Sequence, residues 1–473
     1  MMTRLKAMLA VVSAVLLSGV PTLAGAQDRS AADRSLIERG HALAVAGDCS
    51  ACHGPSGAGG LAIQSPMGAI YASNITPDTT NGIGRWTEPQ FADALRKGRS
   101  PDKGWLYPAM PYPSFTGLSD DDVKALYAYY HLAVAPQPKT VPATHLPFPF
   151  WRPAMVAWNL FNLHVGKVAG AVPVQTDAEK RGRYLVETLA HCSTCHTPRG
   201  LLMGEIGSQH MAGGFVGTWI APNITPSPEG IGDWSDADLR TFLKTGHVRN
   251  HVAGGDMGLA VERSFSQLPD SDLDAMIAYL RKLPPVDGKP ARSPVGAAKP
   301  TDVAQIEAAA LAGVKKPDFA AVTDGAVLYQ GGCASCHGQD GGGSSDGAFP
   351  SLVQSDTARS YKPNNLILTI YHGIQIQTPS GHAAMPGFAA SMTPAQIAAV
   401  ANYVRSHFGN IDRSDVTEAD VAQVIAGKTP TNWLFARAAL LAYIAIALIA
   451  VLLFLAVRRM IRRRSARRHV STG

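Results

Sequence analysis

All six cysteines fall in three copies of one pattern, each copy ending in histidine: Cys49-Ser50-Ala51-Cys52-His53, Cys192-Ser193-Thr194-Cys195-His196 and Cys333-Ala334-Ser335-Cys336-His337. Two thiols separated by two residues can each form a thioether with one vinyl group of the same porphyrin, and the adjacent histidine can then meet the iron. The pattern therefore reads as covalent attachment of haem c. Two other chemistries use cysteine pairs. A redox disulfide would sit in a βαβ pattern, which the flanks do not show. Zinc needs four ligands, and one Cys pair with one His would have to borrow the last. Three copies of the full motif favour haem, with His53, His196 and His337 as the proximal ligands.

Each iron then takes a sixth ligand or stays open. A distal methionine raises the potential and leaves no substrate position, which suits electron transfer. One methionine follows each motif and precedes the closing helix of each repeat: Met110 in Tyr107-Pro108-Ala109-Met110-Pro111, Met257 in Gly255-Asp256-Met257-Gly258 and Met385 in Ala384-Met385-Pro386-Gly387. All three are expected in loops, Met110 and Met385 because a proline follows directly. Isolated methionines are ordinarily core filler, and Met276, inside a helical pattern, fits that reading. Competing ligands are Met67 for the first iron; Met203, Met211, His247 or His251 for the second; His372 or His382 for the third.

The elements that position these residues also repeat. The motifs are spaced by 143 and then 141 residues. Each repeat opens with a short helical stretch containing glycine (Gly40, Gly182, Gly325) and closes with a capped amphipathic helix ending near Tyr129, Tyr279 or Tyr403. Ser119 and Thr393 are the expected N-caps. The first two repeats share a further block, Asn74-Ile75-Thr76-Pro77 with Trp86 and Asn223-Ile224-Thr225-Pro226 with Trp234, absent from the shorter third. Both tryptophans are expected to pack in the core or to offer the indole N–H to a haem propionate. Connectors rich in proline join the repeats, and the apolar stretch Phe148-Pro149-Phe150-Trp151 is expected to pack between domains or against a partner.

The ends carry a different message. Arg4 and Lys6, the apolar run Ala7 to Val20 and the exit Ala24-Gly25-Ala26 form a secretory signal pattern. Ala438 to Val457 holds 20 residues without charge or proline, enough to cross about 30 Å of hydrocarbon. Seven arginines follow between Arg458 and Arg468, which by the positive-inside rule places the tail in the cytoplasm and the rest outside. Of the 42 basic residues nine lie in these two ends, leaving 33 against 36 acidic ones. A slightly acidic body lacks the basic face that nucleic acid requires. Low charge with abundant Gly and Pro argues against long coiled coils.

Taken together, the three motifs, the Asn-Ile-Thr-Pro blocks, the Ala-Met-Pro loops and the linker Trp151 to Asn159 make the chain resemble the triple-haem cytochrome c subunits of membrane-bound dehydrogenases of acetic acid bacteria. These serve quinoprotein alcohol dehydrogenase and the flavoprotein gluconate, sorbitol and fructose dehydrogenases. The resemblance implies three haems c attached outside the cytoplasm. It also implies a separate catalytic subunit of pyrroloquinoline quinone, flavin or molybdenum type, room for a small third subunit, and ubiquinone as electron acceptor. This chain would then be the electron-transfer subunit in the inner membrane rather than the substrate-oxidising one. Two rivals stay open: a donor to a terminal oxidase, and a haem enzyme or sensor with an open iron.

The expected fold is all-α, with three tandem cytochrome c domains plus one C-terminal transmembrane helix. The expected layout is signal peptide 1–26, domains 27–140, 175–287 and 318–412, linkers 141–174 and 288–317, juxtamembrane segment 413–433, span 434–457 and basic tail 458–473.

Overall fold

A computed structural model describes residues 31–168, 170, 172–288, 291–299, 302–311, 321–353, 355–427 and 433–470; the expected signal peptide lies outside them. Opening helices Ala31–Ala46, Asp177–Arg183 and Gly325–Gly332 cross closing helices Asp120–Leu132, Asp270–Leu280 and Pro394–His407. Glycine makes the crossing possible. A Cβ on Gly40 would lie 2.0 Å from the carbonyl oxygen of Ala125, one on Gly182 1.8 Å from that of Ala275, and one on Gly325 2.3 Å from that of Ala399. The tyrosine four residues further on, Tyr129, Tyr279 or Tyr403, forms the other wall of each contact. Only a missing side chain lets the backbones approach this closely.

Caps fix where the closing helices begin. Ser119 Oγ accepts from the Asp122 amide, and Thr393 and Gln396 form a reciprocal capping box, each arrangement contributing about 1 kcal/mol. A middle helix in each repeat, Glu88–Lys97, Asp236–Thr245 or Asn364–His372, ends at a glycine with positive φ (Gly98, Gly246, Gly373). The chain then turns into a β-hairpin: Arg99–Ser100 with Gly104–Trp105, His247–Val248 with His251–Val252, or Ile374–Thr378 with Gly381–Met385. The first two repeats add another hairpin before the Asn-Ile-Thr-Pro block. The all-α reading holds for the core-forming elements, and the strands among the described residues are confined to these five hairpins.

The first two repeats bury their apolar residues in one continuous core, whereas the third has its own. Ile376 of the third repeat nonetheless packs into the first core. The side chain of Asn365 clamps the backbone of Ile220, accepting from its N–H and donating to its carbonyl, both at 2.9 Å. The expected juxtamembrane segment 413–433 contains the helix Glu418–Ile425, which packs on the third core through fully buried Val421. The final helix, Trp433–Val470, runs past the expected span on both sides. Its apolar side chains from Leu440 to Ile461 all face outward, which a core helix would not do.

In the first connector, helix Met155–Asn162 is tied to the first repeat by Tyr112, whose hydroxyl donates to Asn159 Oδ1 at 2.7 Å. Phe148 meets Trp151 edge-on and packs on Tyr443 of the final helix with ring centroids 5.0 Å apart. Of this apolar stretch, Phe148 therefore packs within the chain, against the final helix, while Trp151 stays exposed.

Candidate haem sites

Every Cys-x-x-Cys-His motif lies on a short helical turn, Cys49–His53, Ser193–His196 with Cys192 as its N-cap, or Ala334–His337 with Cys333. One turn brings the first cysteine, the second and the histidine to neighbouring positions on one side. Each histidine is then locked by a backbone carbonyl. Nδ1 of His53 donates to Ser73 O at 2.6 Å, that of His196 to Pro222 O at 2.7 Å and that of His337 to Pro350 O at 3.0 Å. Because a carbonyl only accepts, it fixes the tautomer and leaves Nε2 bare for a metal. Burial lowers all three imidazole pKa values and keeps the rings neutral, as ligation requires.

The Asn-Ile-Thr-Pro blocks hold two of these carbonyls in place. Asn74 Oδ1 accepts from both the amide and the hydroxyl of Thr76, while its Nδ2 donates to the carbonyls of Gln137 and Lys139. Asn223 repeats this with Thr225 and the carbonyl of Val286. Each block thus clips the segment leaving its domain to the segment that begins at Ser73 or Pro222. The sequence displayed the block but not this purpose, since the acceptors themselves are backbone atoms.

None of the cysteines is in a disulfide. Burial pushes the thiol of Cys49 up to about 11, those of Cys52, Cys192 and Cys195 to about 12 and that of Cys333 to about 11. Cys336 is exposed. A redox-active Cys-x-x-Cys pair needs the opposite, a thiol shifted toward the thiolate. Among the described residues no three His, Cys, Asp or Glu side chains gather as a zinc cage would demand.

Met110, Met257 and Met385 line the same continuous cavity as the three histidines and five of the six cysteines. Cys336 lies outside its lining. The cavity holds about 2220 Å³, more than twice the upper end of roughly 300–1,000 Å³ typical of a single small-molecule site. Apolar walls, paired thiols, a neutral imidazole and a thioether fit a set of haem groups. Met110 follows a turn closed by its amide on Tyr107 O, as expected. The loop expectation is corrected for the others. Met257 sits in the first turn of helix Gly255–Arg263, which has no internal proline to stop it. Met385 ends a hairpin strand, paired with Ile374, because Pro386 excludes helix but not strand.

Of the competing ligands, Met67, Met203, His251 and His372 also line the cavity, while His247 and His382 do not. Met211 is fully buried in the core. Trp86 spends its indole N–H on Asp102, and Trp234 packs edge-on against Phe242 and over His251.

Sites one and two adjoin. The helix carrying Met257 packs on the Cys49–His53 turn, and Arg263 Nη1 donates to Ser50 O at 2.8 Å. His191, just before Cys192, meets Phe115 of the first repeat edge-on, and burial lowers its pKa to about 4. Asp48, just before Cys49, has its carboxyl pushed up to about 7 by burial, against the pull of Arg263. Neither residue stood out in the sequence, where a lone His or Asp carries no pattern.

Paired thiols ahead of a carbonyl-locked histidine, inside a small helical unit with a methionine facing the same cavity, define a module built to bind haem c. The chain belongs to the cytochrome c family, whose pattern it matches at residues 37–131, 179–284 and 322–408. It is 43% identical to the fructose dehydrogenase cytochrome subunit of Gluconobacter japonicus, over 88% of this chain and 89% of that one. Identity to the cytochrome c subunit of the quinone-dependent alcohol dehydrogenase of Komagataeibacter europaeus is 38%, over 90% of each chain. For the gluconate 2-dehydrogenase cytochrome c subunit of Pantoea cypripedii it is 35%, over 88% and 95%.

Proposed function

We propose that this chain carries three covalent haems c and relays electrons, as the cytochrome subunit of a membrane-bound dehydrogenase complex, from a catalytic subunit to ubiquinone. The continuous cavity lined by residues of all three motifs supports this most directly, because electron transfer between haems needs them close, with little protein between. Haem supplies the one-electron redox chemistry. Cys49, Cys52, Cys192, Cys195, Cys333 and Cys336 hold it as thioethers. His53, His196 and His337 serve as proximal ligands, oriented by the carbonyls of Ser73, Pro222 and Pro350. Met110, Met257 and Met385 close the distal positions and exclude substrate from the irons.

The catalytic partner, of quinone, flavin or molybdenum type, oxidises the substrate, and this chain binds no sugar or alcohol itself. The final helix anchors it in the inner membrane, with the haem domains in the periplasm and the arginine-rich tail in the cytoplasm. A pyridine haemochrome assay with intact mass measurement tests the count: three haems per chain are expected, and fewer reject the relay. Purification from the native membrane should bring a dehydrogenase subunit along with substrate-dependent reduction of a ubiquinone analogue. Recovery of a copper–haem oxidase instead would reverse the direction of electron flow.

A further inference from the structure

We propose that the first connector is a second membrane contact: helix Met155–Asn162 lies in the bilayer interface beside the spanning helix, with Val156 and Leu160 directed into lipid. The helix is apolar almost all round, unlike a water-facing element. It buries Met155 and Asn159, which accepts from Tyr112, while Val156 and Leu160 are 51% and 74% exposed. A helix on an aqueous surface turns its polar side out. With Trp151 also exposed, the patch is the kind that marks a membrane or protein contact.

Its place in the fold selects lipid. Phe148 packs on Tyr443, which lies about 7 Å along the helix axis from the middle of the uncharged stretch Ala438 to Val457. The hydrocarbon half-thickness is about 15 Å. A ring stacked there reaches acyl depth, so the connector that continues from it begins inside the bilayer boundary. Charge agrees. No Asp or Glu occurs between Asp122 and Asp177, while Lys124, Lys139, Arg152 and Lys167 do, a bias suited to anionic headgroups. Trp158, whose indole N–H donates to Leu202 O at 2.8 Å, adds an interfacial aromatic with its polar atom satisfied. This proposal does not depend on the haem count or on the direction of electron flow.

The test uses the full haem-loaded chain, with any subunits that accompany it, in nanodiscs of phosphatidylethanolamine and phosphatidylglycerol. These are doped with a phospholipid bearing a photoreactive diazirine in its acyl chain. After illumination, lipid adducts should map to both 437–462 and 151–165. Replacing Val156→Asp together with Leu160→Asp should lower the connector adducts at least about fivefold and leave those in the span unchanged. Both side chains are exposed, and an unaltered haem spectrum confirms folding. Adducts confined to the span, or absent from both segments, overturn the proposal. So does a connector cross-linked to a catalytic subunit in place of lipid.

Discussion

Substituting Gly182→Ala adds one methyl group where the opening and closing helices of the second repeat touch. That methyl would stand 1.8 Å from Ala275 O and 2.9 Å from Tyr279 Cβ, against an ordinary contact of about 3.4 Å or more. The helices must part by more than about 1 Å, and neither neighbour is a flexible side-chain end. Overpacking of this sort costs about 1–3 kcal/mol. Moving Tyr279 also strains its hydrogen bond to buried Glu187, 2.7 Å long, worth about 1 kcal/mol more. Alanine returns up to about 1 kcal/mol in helix propensity. The net loss is about 1–3 kcal/mol, a large part of a domain's margin. Denaturant unfolding followed by haem circular dichroism reads it, with Gly207→Ala as control, since nothing lies within 4 Å of a Cβ there. The clearances of 1.8, 2.0 and 2.3 Å at Gly182, Gly40 and Gly325 predict descending penalties in that order. Equal stability of the Gly182 and Gly207 variants would refute the crossing argument.

Replacing Met385→Ala should open the third iron. Its potential should fall on the order of 0.1 V, within the roughly 0.8 V that axial ligands command, and carbon monoxide should bind the reduced protein; an unchanged redox titration rejects the ligand. Loss of the Asn223 clip through Asn223→Ala removes the acceptor of the Thr225 amide and leaves the buried Thr225 hydroxyl only the longer bond to Ser227 Oγ at 3.3 Å. The expected cost is about 1–3 kcal/mol in denaturant unfolding, with a shifted potential at the second haem, whose histidine depends on the adjacent Pro222 carbonyl. A pH series probes His210. Burial opposes its charge but is outweighed by the hydrogen bond and charge of Glu187, 2.9 Å away, so its pKa is raised. The stability this pair contributes is full below about pH 6.5, the ordinary value for histidine, and is lost as pH rises through the higher folded value. The second repeat should therefore weaken across that window, and Glu187→Gln should flatten the slope.

Much of this was legible because haem attachment is written in residue types at fixed spacing. The glycines at 40, 182 and 325 and the tyrosines at 129, 279 and 403 also announced themselves by recurring, although only the structure showed that they meet. Two of the hairpins escaped because strands of two residues, Arg99–Ser100 with Gly104–Trp105 and His247–Val248 with His251–Val252, are too short for an alternating pattern. Within the expected juxtamembrane segment 413–433, Val421 is held by long-range packing, which local composition does not record. The placement of Met257 on a helix turned on Gly254 acting as its N-cap, a weak signal beside the glycine-rich flank.

The three carbonyls behind His53, His196 and His337 belong to a serine and two prolines. Every amino acid brings a carbonyl oxygen, so these positions can drift in evolution without loosening the imidazoles. On the proposed reading, differences in potential among the three irons would consequently be written elsewhere, in the distal thioether and the surrounding dielectric, where a single substitution can retune one step of the relay and spare its neighbours.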